Sequence, residues 1–427
     1  MNRIKVLWFS NTPANADEYL NSELKGTGGW LKSLDKVLQN KVDLHIACYG
    51  DYQKSFKYQE TTYHLINTGN NIYKKFQSKL FINITNQEDL DVYLELIDEI
   101  KPDIIHIHGS ENPFACLISH TDIPVVVSIQ GNITVYFHKF FSGIEKKYLN
   151  VKTNPFKNFS NNPVKFLFDF FFPGQFKKTY IYFSKMKEIE SRNFKKCHYI
   201  IGRTTWDYRI SRVLAPKSKY FHCDEILRDE FYKYTWEYKE YNKAVIFTTN
   251  SNSYYKGFQT VCQCISILND LGIRFEWLVA GISEDDLIVD VVKKKLGKKY
   301  IANNLKLLGN LNEKEIVSYL LGSHIYVMPS HIENSPNNLC EAMILGVPCI
   351  ATFAGGTGSL LQDGVEGILI QDNDPYVMSG AIIELIHDKV KCIMYGNNAR
   401  KRALKRHDKD VIVNSLLNIY SEIIKIN

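Results

Sequence analysis

Two kinds of apolar pattern alternate along this chain, and the alternation runs through twice. Residues 4–9, 42–48, 103–108, 124–130 and 198–202 are short, nearly continuous apolar runs; residues 30–40 and 88–100 carry apolar side chains at helical spacing. Runs apolar on both faces suit strands buried between helical layers, and strand–helix alternation points to parallel strands joined by helical crossovers. A polar, aromatic stretch follows at 223–242, CDEILRDEFYKYTWEYKEYN. The pattern then restarts, with strand-like runs at 244–249, 274–280, 305–308, 325–328 and 348–351 and helical spacing at 258–270, 313–321 and 336–345. Helical stretches at 375–387, 390–405 and 410–424 close the chain. The expected fold class is therefore α/β, with two tandem doubly wound Rossmann-like domains. The expected boundaries are 1–225 for a first domain, 226–408 for a second, and 409–427 for a last helix packing back towards the first. Ligands in such sheets bind beyond the carboxyl ends of the strands, so the two domains are expected to face one cleft.

Charge and cysteine usage narrow the class. The net charge of +6 is mild and does not suggest nucleic acid. It is also uneven. Residues 131–200 hold 13 Lys and Arg against 4 Asp and Glu, hence +9, which leaves −3 for the rest. An insertion into the first domain at about 135–195 coincides with this segment and contains FLFDFFFP at 166–173. Such a stretch suits an anionic membrane surface or a lipid-linked substrate, and equally suits a helical insertion whose aromatics face inward. The nine cysteines are scattered without a CxxC pair, and Cys262 and Cys264 fall in a helix that reads as buried, as expected of reduced thiols. The opening MNRIKVLWFS reads as a first strand, and no run of about 18 apolar residues occurs. The expected location is cytoplasmic, with any association with the inner face of the membrane confined to peripheral contact through 131–200.

The most informative stretch is SHIENSPNNLCEAMILGVPCI, 330–350. A strand at 325–328 runs into a polar turn, then Pro336 near the first turn of a helix, where its missing N–H costs nothing. Asn334, Ser335 and Asn337 are capping types. The backbone N–H groups of Asn337, Asn338, Leu339 and Cys340 would form an anion site suited to phosphate. Glu333 before the turn and Glu341 inside the helix supply carboxylates, which accept hydrogen bonds from sugar or ribose hydroxyls. The competing reading of Glu341 is that it serves only its own helix terminus.

With its flanks, PSHIENSPNNLCEAMILGVPCIA is similar to the Glu-x7-Glu motif of the retaining glycosyltransferases of family 4, the glycosyl transferases group 1 type with the GT-B fold. The resemblance covers the second half well, through Lys256-Gly257, Gly281, Gly309, Gly355-Gly356 and DGVEGILI, 363–370, and the first half more loosely. ENSPNNLCEAM and GRTTWD resemble members from bacterial surface-polysaccharide clusters. The resemblance implies that Glu341 holds the donor ribose, that Glu333 approaches the donor sugar, and that Lys256 clamps the diphosphate. A fixed cation there would stabilise charge on the leaving group, although Lys256 also reads as a surface-loop lysine. The family's arginine in this loop is replaced by Asn250 and Ser251.

In the first half, Gly28 and Gly29 precede a helix, where glycine lets backbone approach a ligand closely, and the family has a glycine pair near the donor phosphates. A purely structural turn is the alternative. No GxGxxG follows residues 4–9, so a nicotinamide site is not supported. His108 ends a strand and reads either as a cleft residue serving catalysis or as a satisfied core histidine. Where the family often has a histidine near the acceptor, this chain has Gln130 and Gly131. Arg203 after the strand 198–202 reads as a ligand of the donor diphosphate or of an acceptor phosphate, or else as a salt-bridge partner of Asp207.

The reaction the resemblance implies is transfer of a hexosyl unit from a nucleotide diphosphate sugar to a glycan acceptor hydroxyl, with retention. The acceptor is expected on a lipid diphosphate carrier. No Asp-x-Asp lies in a suitable loop, since Asp285-Asp286 and Asp372-x-Asp374 read as surface turns, so no metal or other cofactor is expected. A nucleotide-sugar epimerase of the same fold and a non-catalytic glycan-binding relative are the competing readings.

Overall fold

A computed structural model of the chain describes residues 3–20, 28–67, 87–111, 113–149, 175–300 and 303–427. The stretch 166–173 lies outside them. The chain divides into two compact units. One comprises Met1–Val135, Ile181–Leu227 and His407–Asn427; the other comprises Tyr136–Tyr180 and Arg228–Arg406.

In the first unit, β1 (Lys5–Ser10), β2 (Asp43–Tyr49), β3 (Lys54–Tyr58), β4 (Thr61–Ile66), β5 (Ile104–His108), β6 (Val125–Ser128), β7 (Tyr199–Gly202) and β8 (Lys219–His222) form one sheet in the order β3-β4-β2-β1-β5-β6-β7-β8. All neighbours are parallel except β3 and β4. The apolar runs fill both faces, as two-sided burial requires. Val6 and Trp8 of β1 join one core cluster, while Leu7 and Phe9 join the other. The helix Lys409–Ile426 places Ile412, Leu416, Ile419, Tyr420 and Ile423 in the first of these clusters. Trp8 Nε1 donates to Tyr420 Oη at 3.0 Å, and His106 Nδ1 lies 2.6 Å from the same hydroxyl.

In the second unit, β9 (Ala244–Thr249), β10 (Phe275–Ala280), β11 (Leu305–Gly309), β12 (Ile325–Met328), β13 (Cys349–Thr352) and β14 (Gly367–Ile370) form an all-parallel sheet in the order β11-β10-β9-β12-β13-β14.

Several features depart from the expectations. The antiparallel pair β3–β4 and strands β8 and β14 were not anticipated. Residues 54–58 and 219–222 are too polar to read as apolar runs, yet each lies at a sheet edge or beside one, where one-sided burial suffices. The insertion expected in the first domain divides instead. Residues 136–149 pack with the second unit, where Phe140 and Ile144 are buried, and only the part from Ile181 onward stays with the first. All nine cysteines are free. Among the described residues, no helix is long and apolar enough to cross a membrane.

Candidate nucleotide-sugar site

The second unit gathers Lys256, Glu333, Glu341, Asn337, Asn338 and Leu339; the first holds Gly28, Gly29, His108, Gln130, Gly131 and Arg203. Lys256 sits on a single helical turn, Tyr254–Lys256, just beyond β9. Gly257 follows with φ of 73°, and a Cβ there would collide with the carbonyl oxygen of Pro329. Only glycine allows this turn to lie directly against the end of β12. Asn250 Nδ2 donates to Lys256 O at 3.1 Å and so supports the turn. His331 N donates to Tyr255 O at 2.7 Å, and Lys256 Nζ reaches Glu333 Oε1 at 2.6 Å. On the other side of Glu333, Gly356 N donates to its carbonyl oxygen at 2.9 Å. Burial alone would lower the Lys256 ammonium, but the charges of Glu333 and Tyr255 and the hydrogen bond to Glu333 outweigh it and hold the lysine above its ordinary value.

The helix Asn337–Leu345 begins after Pro336, and no side chain caps it. Leu339 N and Cys340 N already donate to Pro336 O at 3.1 and 3.2 Å, which narrows the expected anion site to the N–H groups of Asn337 and Asn338. Asn338 is turned to β9, donating to Thr249 Oγ1 at 3.0 Å, and Leu339 is fully buried. Glu341 receives a bidentate pair from Arg228, Nε to Oε1 and Nη2 to Oε2, both 2.7 Å. Burial pushes the Glu341 carboxyl above the usual range, against the pull of Arg228. Arg228 stacks on Phe231 at 4.7 Å. It was missed in the sequence because its partner is 113 residues away; its one signal was a lone arginine among the acids of CDEILRDE.

In the first unit, Gly28 precedes the helix Gly29–Leu38 as its N-cap. His108 is buried between Trp8 and Trp30, with ring centroids 4.6 and 5.5 Å away, and neither ring nitrogen has a hydrogen-bond partner. It is a core residue, but not a satisfied one. Burial, then His106 and Arg203, hold its imidazole well below the ordinary value. Arg203 is buried beside it and pairs with Glu225, not with the side chain of Asp207, whose carboxylate takes the Arg203 backbone N–H at 2.7 Å. Arg203 Nη2 also donates to Ile129 O at 2.7 Å. His108, Gln130, Arg203 and Glu225 line a small cavity of about 30 Å³, room for about one water.

Gly131 N donates to Glu111 Oε1 at 2.8 Å. Burial pushes this unanticipated carboxyl up to about 7. Nearby, Glu190 accepts from Ser110 Oγ at 2.6 Å, Thr134 N at 2.6 Å, Thr134 Oγ1 at 2.6 Å and Ile133 N at 3.1 Å.

Residues 234–402 match the family described as Glycosyl transferases group 1. The UDP-Gal:alpha-D-GlcNAc-diphosphoundecaprenol alpha-1,3-galactosyltransferase of Escherichia coli is 31% identical over 158 residues, 32% of this chain and 40% of that protein. The capsular polysaccharide biosynthesis glycosyltransferase CapM of Staphylococcus aureus is 24% identical over 170 residues, covering 40% and 44%. The chain thus spans under half the length of the curated relatives it matches. Over the whole chain, the structure is similar to sucrose-phosphate synthase from Thermosynechococcus elongatus, with a TM-score of 0.73, 11% identity and 100% of both chains covered. It is also similar to Anabaena HepE in complex with UDP and glucose, with a TM-score of 0.62, 12% identity and 98% and 99% covered. The fold is GT-B, and residues 234–402 carry a glycosyl transferases group 1 domain.

Proposed function

We propose that the chain is a retaining family 4 glycosyltransferase that moves a hexosyl unit from a nucleotide diphosphate sugar to a glycan acceptor hydroxyl in polysaccharide biosynthesis. The observation that carries this reading is the buried Lys256–Glu333 pair beside the uncapped helix that bears Glu341. Lys256 and the first-turn N–H groups of Asn337 and Asn338 would take the diphosphate, whose charge grows as the glycosidic bond breaks. Glu341, oriented through both oxygens by Arg228, would accept from the ribose hydroxyls with its remaining lone pairs. Glu333 would turn from Lys256 to the donor sugar. Retention follows from front-face attack, in which the acceptor hydroxyl forms the new bond to the anomeric carbon on the side from which the nucleoside diphosphate leaves. The hydroxyl proton passes to the departing phosphate. The chain then needs positioning and charge stabilisation more than a dedicated base, which suits Gln130 where the family often has histidine.

In the first unit we assign Gln130 and Gly131 to the acceptor, Gly28, Gly29 and Arg203 to the donor, and His108 to catalysis. The pairing of Arg203 with Glu225 favours a supporting role for that arginine. A lipid diphosphate carrier for the acceptor, and peripheral contact with an anionic membrane through 131–200, are proposed on the basic charge of that segment and on the relative that acts on a diphosphoundecaprenol-linked sugar.

The test is thermal unfolding with UDP, GDP, ADP, CMP and TDP, paired with Glu341→Ala. A ligand that binds the native state raises its apparent stability. A rise with one diphosphate, lost in Glu341→Ala, is expected and names the donor class. No rise with any of them in the wild type would overturn the nucleotide seat. The anomeric configuration of the product made with that donor then decides retention.

A further inference from the structure

Residues 136–149 follow β6 of the first unit, yet they pack with the second unit. Their contacts there are concentrated. Tyr136 and Phe140 lie 5.5 and 5.4 Å from the ring of Tyr255, and Phe141 lies 5.5 Å from Tyr254. These two tyrosines, with Lys256, make up the single turn that carries the proposed diphosphate clamp. Three residues beyond Phe140, Gly143 has φ of 77°. A Cβ at Gly143 would collide with Gln259 Nε2 and lie 2.8 Å from Asn373 Oδ1 and 3.0 Å from His331 Nε2. His331 precedes Glu333 by two residues. Lys295 Nζ donates to Gly143 O, and Lys139 Nζ lies 3.4 Å from Asp372 Oδ2, which is in turn 3.6 Å from His331 Nδ1.

One short segment therefore presses on both supports of the Lys256–Glu333 pair. Its aromatics cover the turn behind Lys256, and Gly143 backs the histidine ahead of Glu333. Lys256 is a flexible side chain on a turn of three residues, which has little stiffness of its own. An ammonium that must meet a diphosphate needs its turn fixed from outside, because small displacements of a charge-bearing group are costly to catalysis.

We propose that residues 136–149 are a positioning strap for the nucleotide-sugar site, with Phe140 and Gly143 fixing the Lys256–Glu333 pair. The strap's role in binding rests on the function proposed above, but its effect on the pair does not. Without the strap, the turn opens, the ammonium becomes accessible and the nucleoside diphosphate binds less tightly.

The test uses the full chain with Phe140→Ala, Phe140→Tyr and the milder Lys295→Met, each checked by circular dichroism and a cooperative melt. The first readout is amine-specific labelling of Lys256 by mass spectrometry, with Lys233 and Lys389 as exposed internal references; it requires no nucleotide. Phe140→Ala should label Lys256 on the order of tenfold faster with the references unchanged, and Phe140→Tyr should restore protection. The second readout is the dissociation constant of whichever nucleoside diphosphate stabilises the wild type, expected to rise on the order of tenfold or more in Phe140→Ala. Unchanged Lys256 labelling in a folded Phe140→Ala variant overturns the strap. Should Phe140→Ala not fold, the same decision falls to Lys295→Met. Faster labelling in a chain whose wild type binds none of the nucleotides would leave the strap standing and overturn the nucleotide seat alone.

Discussion

Lys256 Nζ and Glu333 Oε1 stand 2.6 Å apart across 77 residues of sequence, each largely withdrawn from solvent. Removing one member of such a pair leaves the other buried and uncompensated. Lys256→Met is expected to cost roughly 3–5 kcal/mol in unfolding by urea, and Lys256→Met with Glu333→Gln clearly less than the sum of the two single changes. Sugar transfer should drop on the order of 10²–10³-fold in Lys256→Met, as when one charge-stabilising donor is removed. Additive stability losses in the cycle would refute the coupling.

Arg228→Lys keeps the charge beside Glu341 but loses the two-point grip. Nucleoside diphosphate affinity measured by calorimetry should weaken by roughly tenfold, about 1.4 kcal/mol, with the melting transition little changed. Glu341→Ala should abolish the binding heat and also destabilise the chain, because Arg228 is then left without its carboxylate.

Glu111 gives a stability signature with a defined sign. Its carboxyl is ordinarily half-ionised near 4.5, and burial raises it to about 7 in the fold, with Glu190 adding to the rise and Arg203 opposing it. The native state thus keeps a proton that the unfolded chain has released, and stability falls as pH rises from 4.5 to about 7, then levels off. Glu111→Gln should remove this slope, so that its stability relative to wild type improves by up to about 3 kcal/mol between pH 4.5 and pH 8. Equal pH profiles for the two proteins would contradict the assignment.

Tyr420→Phe deletes the hydroxyl shared by Trp8 and His106. A buried indole N–H then lacks its acceptor, and the loss should be about 1–3 kcal/mol in urea, followed by the fluorescence of the chain's tryptophans.

Because the proposed reaction meets the developing phosphate charge with Lys256 and helix N–H groups, EDTA should leave turnover unchanged and added Mg²⁺ should not raise it. A metal-dependent rate would call for ligands beyond those assigned.

Much of this architecture was legible because strands buried on both faces write themselves as apolar runs. β1, β5, β6, β9 and β12 are of that kind, and each lies in the sheet interior. The edge strand β3 is not, since only Phe56 among its side chains is buried. The acidic residues of the 330–350 stretch were visible because Pro336 and the flanking strands mark a helix start. Their partners were not. Arg228, Phe140 and Gly143 act across long separations, and nothing in local spacing encodes which remote residue an arginine or a ring will meet. Arg203 shows the opposite error: Asp207 was the nearest acid in sequence, yet Glu225 holds the guanidinium, because Asp207 is engaged with backbone N–H groups in capping the helix Thr205–Leu214.

The helix that supplies Tyr420 has a further consequence on the ribosome. The first unit's apolar interior contains Ile412, Leu416, Ile419 and Ile423, so Val6 and Trp8 must wait until residues 409–426 have been made before that interior can close. Residues 228–406, synthesised later than most of the first unit, belong to a unit that does not include that helix. Completion of the two units therefore runs against the usual order, in which the amino-terminal domain folds first.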